Sequence, residues 1–197
     1  AYADAVATYL GLVASRMSEY QSNLCAWANN PQMEIVKTLF TRQAIPMTWD
    51  FAEANALGDK SGSLTRMTAA VAKVIDRLDG NSVPPTVAQA DAVLAVGAPS
   101  VISTDPPYYD NISYSDLSDF FYAWLQRSIG HLYPEHLAAP TTPKRKEIVA
   151  IPYRHGGSAD DAKKAYQAMM AEVFRQRREA MKPNAPLVGV YAPKPYD

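Results

Sequence analysis

The sequence has few of the residues that form disulfide frameworks or metal centres. Among its 197 residues there is a single cysteine, Cys25, which excludes an internal disulfide and a cysteine-rich zinc site. The three histidines, His131, His136 and His155, are too widely separated to suggest a metal-binding motif, so we predict no metal. One free cysteine suits a reducing compartment, and the sequence therefore predicts a cytoplasmic protein.

Long apolar runs and a signal-peptide pattern are also missing. No apolar stretch approaches the roughly 20 residues that span a bilayer, and residues 1–10 lack a basic region followed by an apolar segment. Hydrophobic residues make up 48% of the chain and charged residues 20%, which is an ordinary globular composition. We therefore predict a globular protein with no membrane partner. Because the chain opens on a helical pattern without methionine, we expect it to be a piece of a longer protein.

Net charge is only −1, but it is unevenly distributed. Residues 1–142 carry 8 Lys and Arg against 14 Asp and Glu, a net −6, whereas residues 143–182 carry 10 against 5, a net +5. Neutralisation of phosphates by Lys and Arg supplies most sequence-independent affinity for nucleic acid. A basic segment is therefore compatible with DNA binding. A solvated helix face would show the same pattern, and charge alone does not decide between the two interpretations.

Hydrophobic periodicity predicts mostly helices in the first part of the chain. Apolar residues at spacings of three and four predict helices over 2–27, 33–41 and 64–78, and a further helix that begins near Pro46 and includes Trp49 to Ala54. We expect residues 1–82 to form a helical region.

The pattern changes after Pro85. Short apolar or β-branched segments predict strands at 86–89, 100–104 and 187–191, helices are predicted over 115–132 and 160–182, and the proline-rich residues 133–158 predict a long loop. The strand at 100–104 does not alternate in polarity, as expected of a parallel strand that is covered on both faces. We therefore predict an α/β catalytic region over 83–197 that forms part of a doubly wound, Rossmann-like sheet.

The most informative segment is Asp105-Pro106-Pro107-Tyr108, which directly follows the predicted strand at 100–104. Open α/β sheets bind ligands just beyond the carboxyl ends of their strands. Two consecutive prolines fix φ and favour extended geometry in the residues before them, so the turn holds Asp105 and Tyr108 stiffly. Because proline has no amide donor, the turn offers carbonyl and carboxylate acceptors. Such a site suits a substrate that presents N–H groups.

The exocyclic amine of a nucleobase is a substrate of this kind. The Asp105 carboxylate and the Pro106 carbonyl could accept its two hydrogens and stabilise the positive charge that develops as the nitrogen attacks a methyl group. Tyr108 could stack on a base that has left the duplex. Methyl transfer from a sulfonium donor would then depend mainly on positioning. We predict Asp105, Pro106, Pro107 and Tyr108 as catalytic residues; for the bare tetrapeptide, an ordinary structural loop is the alternative.

Residues 105–125, DPPYYDNISYSDLSDFFYAWL, resemble the catalytic segment of DNA amino-methyltransferases, in particular the adenine-specific DNA methylases that contain a zinc-ribbon module. Residues 42–47, 49–53 and 142–157 also resemble that group. The resemblance implies a Rossmann-like methyltransferase fold, S-adenosylmethionine as methyl donor and adenine in DNA as acceptor. The family's glycine-rich cofactor loop and its cysteine-rich ribbon are absent from this sequence. We therefore expect the chain to carry the acceptor half of the site.

Further candidate residues surround this motif. The resemblance implies that Asp91, ahead of the catalytic strand, faces the adenine of the cofactor; a surface-turn aspartate is the alternative. Asp50 and Glu53 share a face of a predicted helix, where they could border the cofactor or base pocket or stabilise the helix dipole. The candidate substrate contacts are Tyr108, Tyr109, Asn111, Lys144 and Arg154, of which the last two would meet the DNA backbone if the long loop closes.

The motif does not distinguish the amine of adenine from that of cytosine, DNA from RNA, or a nucleobase amine from a protein amide. A different class of function also fits these features, namely a non-catalytic nucleic-acid-binding or structural module in which the DPPY turn is only structural. The oligomeric state is not predicted by any feature of the sequence.

Overall fold

Helices and two small sheets make up the chain in the computed structural model, which describes residues 1–30, 32–78, 80, 83, 85–94, 97 and 101–190. In chain order the elements are α1 (Tyr2–Ser18), β1 (Trp27–Asn30), β2 (Met33–Val36), α2 (Leu64–Ile75), β3 (Ile102–Thr104), α3 (Tyr114–Ile129), α4 (Pro134–Leu137), a 3₁₀ turn (Pro152–His155), α5 (Ala159–Ala180) and β4 (Leu187–Gly189). Within these residues no helix is long and apolar enough to cross a membrane.

The chain divides into two compact units. The first contains residues 1–83 and 115–142, and the second contains residues 84–114 and 143–197. The division predicted from the sequence, a helical region over 1–82 and a catalytic region over 83–197, stays a prediction about domains.

The first unit packs around α1 and an antiparallel hairpin. Strands β1 and β2 pair with Trp27 opposite Val36. Gly11 permits a close approach between helices, because a Cβ atom at this position would lie 2.8 Å from Cγ2 of Ile129 on α3. Val13 and Leu39 are almost completely buried and belong to the hydrophobic core of this unit.

The second unit contains a parallel pair of strands. Ile102 of β3 lies opposite Leu187 of β4, and Thr104 lies opposite Gly189. Because the strands are parallel, the segments that follow them emerge at the same edge. The turn that begins at Asp105 and the residue Val190 therefore lie at one end of the pair. The mixed α and β character predicted from the sequence is confirmed at this coarse level.

Helix α5 begins at a capping signal that its sequence contains. The Ser158 hydroxyl accepts a hydrogen bond from the Asp161 amide at 3.2 Å, and Asp160 and Asp161 lie in the first turn, where carboxylates are stabilised by the helix dipole. The inner face of the helix buries Ala162 and Tyr166. The cap thus sets the register that places Tyr166 in the core of the second unit.

Three predicted elements are wrong. Residues 33–36 form β2 instead of part of a helix, since a short apolar run does not distinguish the two structures. Residues 46–54 are not helical, because Phe51 forms an antiparallel bridge with Ala26 and the Ala52 amide donates to the Cys25 carbonyl at 2.8 Å. Residues 86–89 form no strand in the described part of the second unit.

The remaining predictions agree with the structure apart from their ends. Helix α1 ends at Ser18 instead of residue 27, because the chain turns there toward the β1–β2 hairpin. Helices α2, α3 and α5 lie within a few residues of their predicted bounds, and the predicted loop at 133–158 contains α4 and the 3₁₀ turn. Strands β3 and β4 occur where expected, although Ser100 and Tyr191, at the predicted ends, lie outside the described residues.

Candidate active site

The turn Asp105-Pro106-Pro107-Tyr108 leaves β3 at the carboxyl edge of the parallel pair. Asp105 is exposed, and the three residues after it are partly buried. The Tyr108 hydroxyl donates to Oδ1 of Asp105. No described residue donates to Oδ2 of Asp105 or to the Pro106 carbonyl. The turn therefore presents an accessible carboxylate and a neighbouring carbonyl as hydrogen-bond acceptors.

A buried tyrosine on α5 holds the backbone of this turn. The Tyr166 side chain is only 7% exposed, and its hydroxyl donates to the Pro107 carbonyl at 2.8 Å. Tyr166 packs in a small core with Ile148, Ala150 and Ala162. Because the Pro107 carbonyl accepts this hydrogen bond, the peptide between Pro107 and Tyr108 is held in one orientation. Helical spacing puts Tyr166 on the apolar face of the helix predicted over 160–182 and assigns it no further role. A buried tyrosine hydroxyl usually needs a partner, which is the signal that could have indicated this contact.

The residue after the turn has a strained backbone. Tyr109 has a φ of 53°, a conformation that a bulky side chain adopts at a cost of roughly 1–3 kcal/mol. Two contacts hold it there: the Ala150 amide donates to the Tyr109 carbonyl at 3.0 Å, and the Tyr109 ring packs edge-on against Tyr166 with 5.3 Å between centroids. Strained backbone of this kind persists where surrounding contacts fix it and is concentrated in functional sites.

Arg154, predicted as a DNA contact, forms an internal network in this structure. Its guanidinium donates to Oε2 of Glu147 at 2.7 Å, to the Ser113 hydroxyl at 2.8 Å and to the Lys144 carbonyl at 3.2 Å. The Arg154 and Glu147 side chains are each 14% exposed. Arg154 therefore ties the segment after the 105–108 turn to the long loop. Contacts of Arg154, Lys144 and the exposed Asn111 with substrate stay predictions.

Asp91 lies in a turn and not on a strand before the catalytic one, which corrects the structural basis on which it was chosen. Its Oδ1 accepts from the Val93 amide at 3.0 Å, and its Oδ2 pairs with Lys146 Nζ at 2.9 Å. The Val93 N–H, followed by Lys146, holds the pKa of the Asp91 carboxyl below its usual range. The carboxylate is thus ionised and already bonded to the loop.

Asp50 and Glu53 lack the common helix face that the sequence predicted, because residues 46–54 are not helical. Both are exposed and belong to the first unit. Glu53 borders a polar cleft of about 280 Å³, which is lined by Gln21, Ser22, Asn23 and residues 51–54.

The residues predicted to contact the methyl donor do not fit a prepared site for it. Asp91 is bonded to Val93 and Lys146, while Asp50 and Glu53 have lost the shared helix face on which their assignment depended. The sequence also contains no glycine-rich turn that could approach a nucleotide closely. We therefore assign no donor contacts to these three carboxylates. Among the described residues there is also no group of His, Cys, Asp or Glu that could hold a metal ion.

An apolar cavity of about 450 Å³ lies beside the turn and was not predicted from the sequence. It is lined by Pro106, Tyr166, Gln167, Met170, Ala171, Phe174, Gly189 and Val190. Met170 and Phe174 belong to the apolar face of the helix predicted over 160–182, yet Phe174 is 43% exposed. Helical periodicity identifies an apolar face but does not show whether another element fills the space against it.

The hydrogen bond from Tyr108 to Asp105 should change the pKa of the Tyr108 phenol. Donation to the carboxylate raises the pKa of the Tyr108 phenol, because ionisation of the phenol would break the bond. The bond stabilises the fold below the ordinary tyrosine pKa of about 10 and is lost as pH rises through the raised value. We expect Asp105→Ala to return the Tyr108 pKa toward its ordinary value. NMR titration of ring-labelled tyrosine, with Tyr108→Phe to assign the signal, measures this; an unchanged pKa in Asp105→Ala would contradict the bond.

Comparisons with known proteins add no relative: no family model, no curated protein and no solved structure matches the chain. The adenine methylase family therefore stays a resemblance based on the residues quoted above. What can be argued about function depends on the geometry of the 105–108 turn and its surroundings.

Proposed function

We propose that this chain supplies the acceptor site of an S-adenosylmethionine-dependent methyltransferase that modifies the exocyclic amine of adenine in DNA. One observation carries the proposal: the accessible Asp105 carboxylate and the Pro106 carbonyl stand next to each other at the carboxyl edge of a parallel strand pair, beside a cavity. Ligands of open α/β sheets bind at this edge.

The two acceptors suit an amine whose lone pair is delocalised into a ring. When the Asp105 carboxylate and the Pro106 carbonyl accept its two hydrogens, the nitrogen is favoured in a pyramidal form and its developing positive charge is stabilised. The amine would replace the Tyr108 hydroxyl as a donor to Asp105, which leaves the Tyr108 ring to stack on the base. The methyl donor, when bound, would supply a methyl group whose bond to sulfur breaks as the bond to nitrogen forms, leaving a thioether; the alkylated nitrogen would then lose one proton to solvent. The rigid turn holds the nitrogen in position for attack.

The proposal includes a larger sheet than the pair described. Parallel strands are nearly always covered on both faces, yet Val188 of β4 is 53% exposed. A doubly wound, Rossmann-like arrangement would cover such a strand with helices and add neighbours at its edges. The exposure of β4 is therefore compatible with the fold that the sequence predicts.

Product analysis tests the proposal. The complete gene product would be incubated with S-adenosylmethionine labelled on its methyl group and, separately, with single-stranded DNA, duplex DNA or RNA, followed by nucleoside digestion and mass spectrometry. We expect label in N6-methyladenine from DNA. Label in N4-methylcytosine or in RNA would show that cytosine or RNA is the acceptor and would contradict adenine in DNA. If no nucleic acid acquires label, the enzymatic proposal fails and a non-catalytic module becomes the better hypothesis.

A further inference from the structure

We infer that Tyr166 of α5 is a positioning residue of the candidate site: it holds the residues on both sides of Tyr108 and thereby keeps the Tyr108 hydroxyl against the Asp105 carboxylate. The inference rests on the proposed function for the chemical importance of this turn, and it adds a residue that acts through the turn instead of on the substrate. It depends on two contacts of one buried side chain and on the restricted backbone of Pro107.

Tyr166 contacts the chain immediately before and immediately after Tyr108. Its hydroxyl donates to the Pro107 carbonyl at 2.8 Å. Its ring meets the Tyr109 ring edge to face, with 5.3 Å between centroids and 85° between the ring planes. One side chain therefore anchors the backbone on both sides of the residue that donates to Asp105.

The hydrogen bond to Pro107 restrains the one soft backbone torsion ahead of Tyr108. The pyrrolidine ring fixes φ of Pro107, and the peptide bond that follows is planar, so only ψ of Pro107 can rotate easily. That torsion sets the direction of the Pro107 carbonyl. Because Tyr166 holds this carbonyl, it fixes the direction in which the chain enters Tyr108.

The Pro107 carbonyl also accepts a hydrogen bond from the Tyr109 amide, at 3.2 Å. A carbonyl oxygen has two lone pairs, and Tyr166 and Tyr109 together use both. Tyr109 has the positive φ of 53°, so the turn that this second bond closes around Tyr108 is strained. A strained turn keeps its geometry only while the surrounding contacts fix it. Loss of the Tyr166 hydroxyl would remove one of those contacts.

Tyr166 is itself held firmly. Its side chain is 7% exposed and packs with Ile148, Ala150 and Ala162 in the core of the second unit. Ala162 lies one turn earlier on the same face of α5. A hydroxyl carried by a packed helical side chain is more precisely placed than one on a loop. Tyr166 therefore has the rigidity that a positioning residue needs.

Tyr166→Phe tests the inference, because it removes the hydroxyl and keeps the ring that packs on Tyr109. The readout is the pKa of the Tyr108 phenol, whose hydrogen bond to Asp105 is the largest cause of its raised value. We expect this pKa to fall toward the ordinary value of about 10, since a loosened turn holds the hydroxyl against Asp105 for less of the time. NMR titration of ring-labelled tyrosine in the complete gene product, with Tyr108→Phe to assign the signal, measures it without DNA or methyl donor.

Methyl transfer by the complete gene product supplies a second readout. Tyr166→Phe should lower kcat by about 10- to 100-fold, since displacement of a reacting group by about 1 Å can cost 100-fold. The KM for DNA should change little, because Tyr166 acts on the geometry of the turn and not on the binding of the strand.

The matched control is Ile148→Val, which shortens a side chain in the same core and leaves the Tyr166 hydroxyl in place. It should lower the urea midpoint about as much as Tyr166→Phe does, while the Tyr108 pKa and kcat stay at the parent values. An unchanged Tyr108 pKa in Tyr166→Phe overturns the inference, even if kcat falls. An equal fall of that pKa in Ile148→Val also overturns it, because core stability and not the hydroxyl would then set the contact. If the parent protein transfers no methyl group, the proposed function fails, and the Tyr108 pKa still decides whether Tyr166 positions Tyr108.

Discussion

Asp105→Ala is expected to reduce methyl transfer by the complete gene product by at least about 100- to 1,000-fold, the loss typical when one preorganised group that stabilises transition-state charge is removed. The substitution removes the carboxylate that would face the amine and leaves only the Pro106 carbonyl as acceptor. The Asp105 side chain is exposed and its one described partner is the Tyr108 hydroxyl. The fold should therefore survive the change.

The assay should separate chemistry from binding. A loss in kcat with little change in the KM for DNA is expected, because the charge on the amine develops only in the transition state. Asp105→Asn keeps a carbonyl oxygen without the negative charge and should retain more activity than Asp105→Ala. Asp160→Ala provides a matched control, since it removes an exposed carboxylate from the same unit. Turnover that stays within a few-fold of the parent in Asp105→Ala would remove the assigned chemistry.

The turn at residues 105–108 could be predicted from sequence, because its geometry depends mainly on neighbouring residues. Two prolines restrict their own φ and the conformation of the residues before them, and a β-branched segment precedes them. The structure places β3 and the turn where these residues predicted them. Helix α5 was predictable for the same reason, since the signals for its first turn lie within four residues: the N-cap Ser158 and the acidic residues Asp160 and Asp161.

The elements that were missed depend on contacts between distant residues. Residues 46–54 contain helix-compatible side chains, but pairing of Phe51 with Ala26 and of Ala52 with Cys25 extends the chain instead. Residues 33–36 become a strand because β1 pairs with them. Local propensity is a weak prior, and backbone pairing of this kind can override it.

The contacts that hold the 105–108 turn and the long loop in place also could not be predicted from local sequence patterns. A lone tyrosine in a helical stripe does not reveal that its hydroxyl will meet the Pro107 carbonyl 59 residues earlier. Arg154 looked like a cation available for phosphate, yet Glu147 and Ser113 bind it internally. A charged side chain in a sequence shows its charge but not its partner, and the partner decides between a structural and a ligand-binding role.

Arg154→Ala is expected to destabilise the protein by about 3–5 kcal/mol, the usual result of breaking a buried ion pair from one side. The change leaves the largely buried Glu147 carboxylate without its cation and removes the bond to the Ser113 hydroxyl. Urea denaturation followed by circular dichroism measures the effect. Arg127→Ala serves as the matched control, because that arginine is exposed and its one acceptor among the described residues is the Ala123 carbonyl of its own helix. It should cost no more than about 0.5 kcal/mol.

A double-mutant cycle with Glu147→Gln distinguishes the ion pair from the loss of arginine packing. If the pair dominates, the double variant should be clearly less destabilised than the sum of the single variants, because the unpaired carboxylate is gone. Hydrogen exchange at Ala150 provides a local measurement, since its amide is bonded to the Tyr109 carbonyl. Loss of Arg154 should release the loop and raise that exchange rate. Equal stability of the Arg154→Ala and Arg127→Ala proteins, with Ala150 still protected, would mean that Arg154 does not hold the loop and is available for DNA.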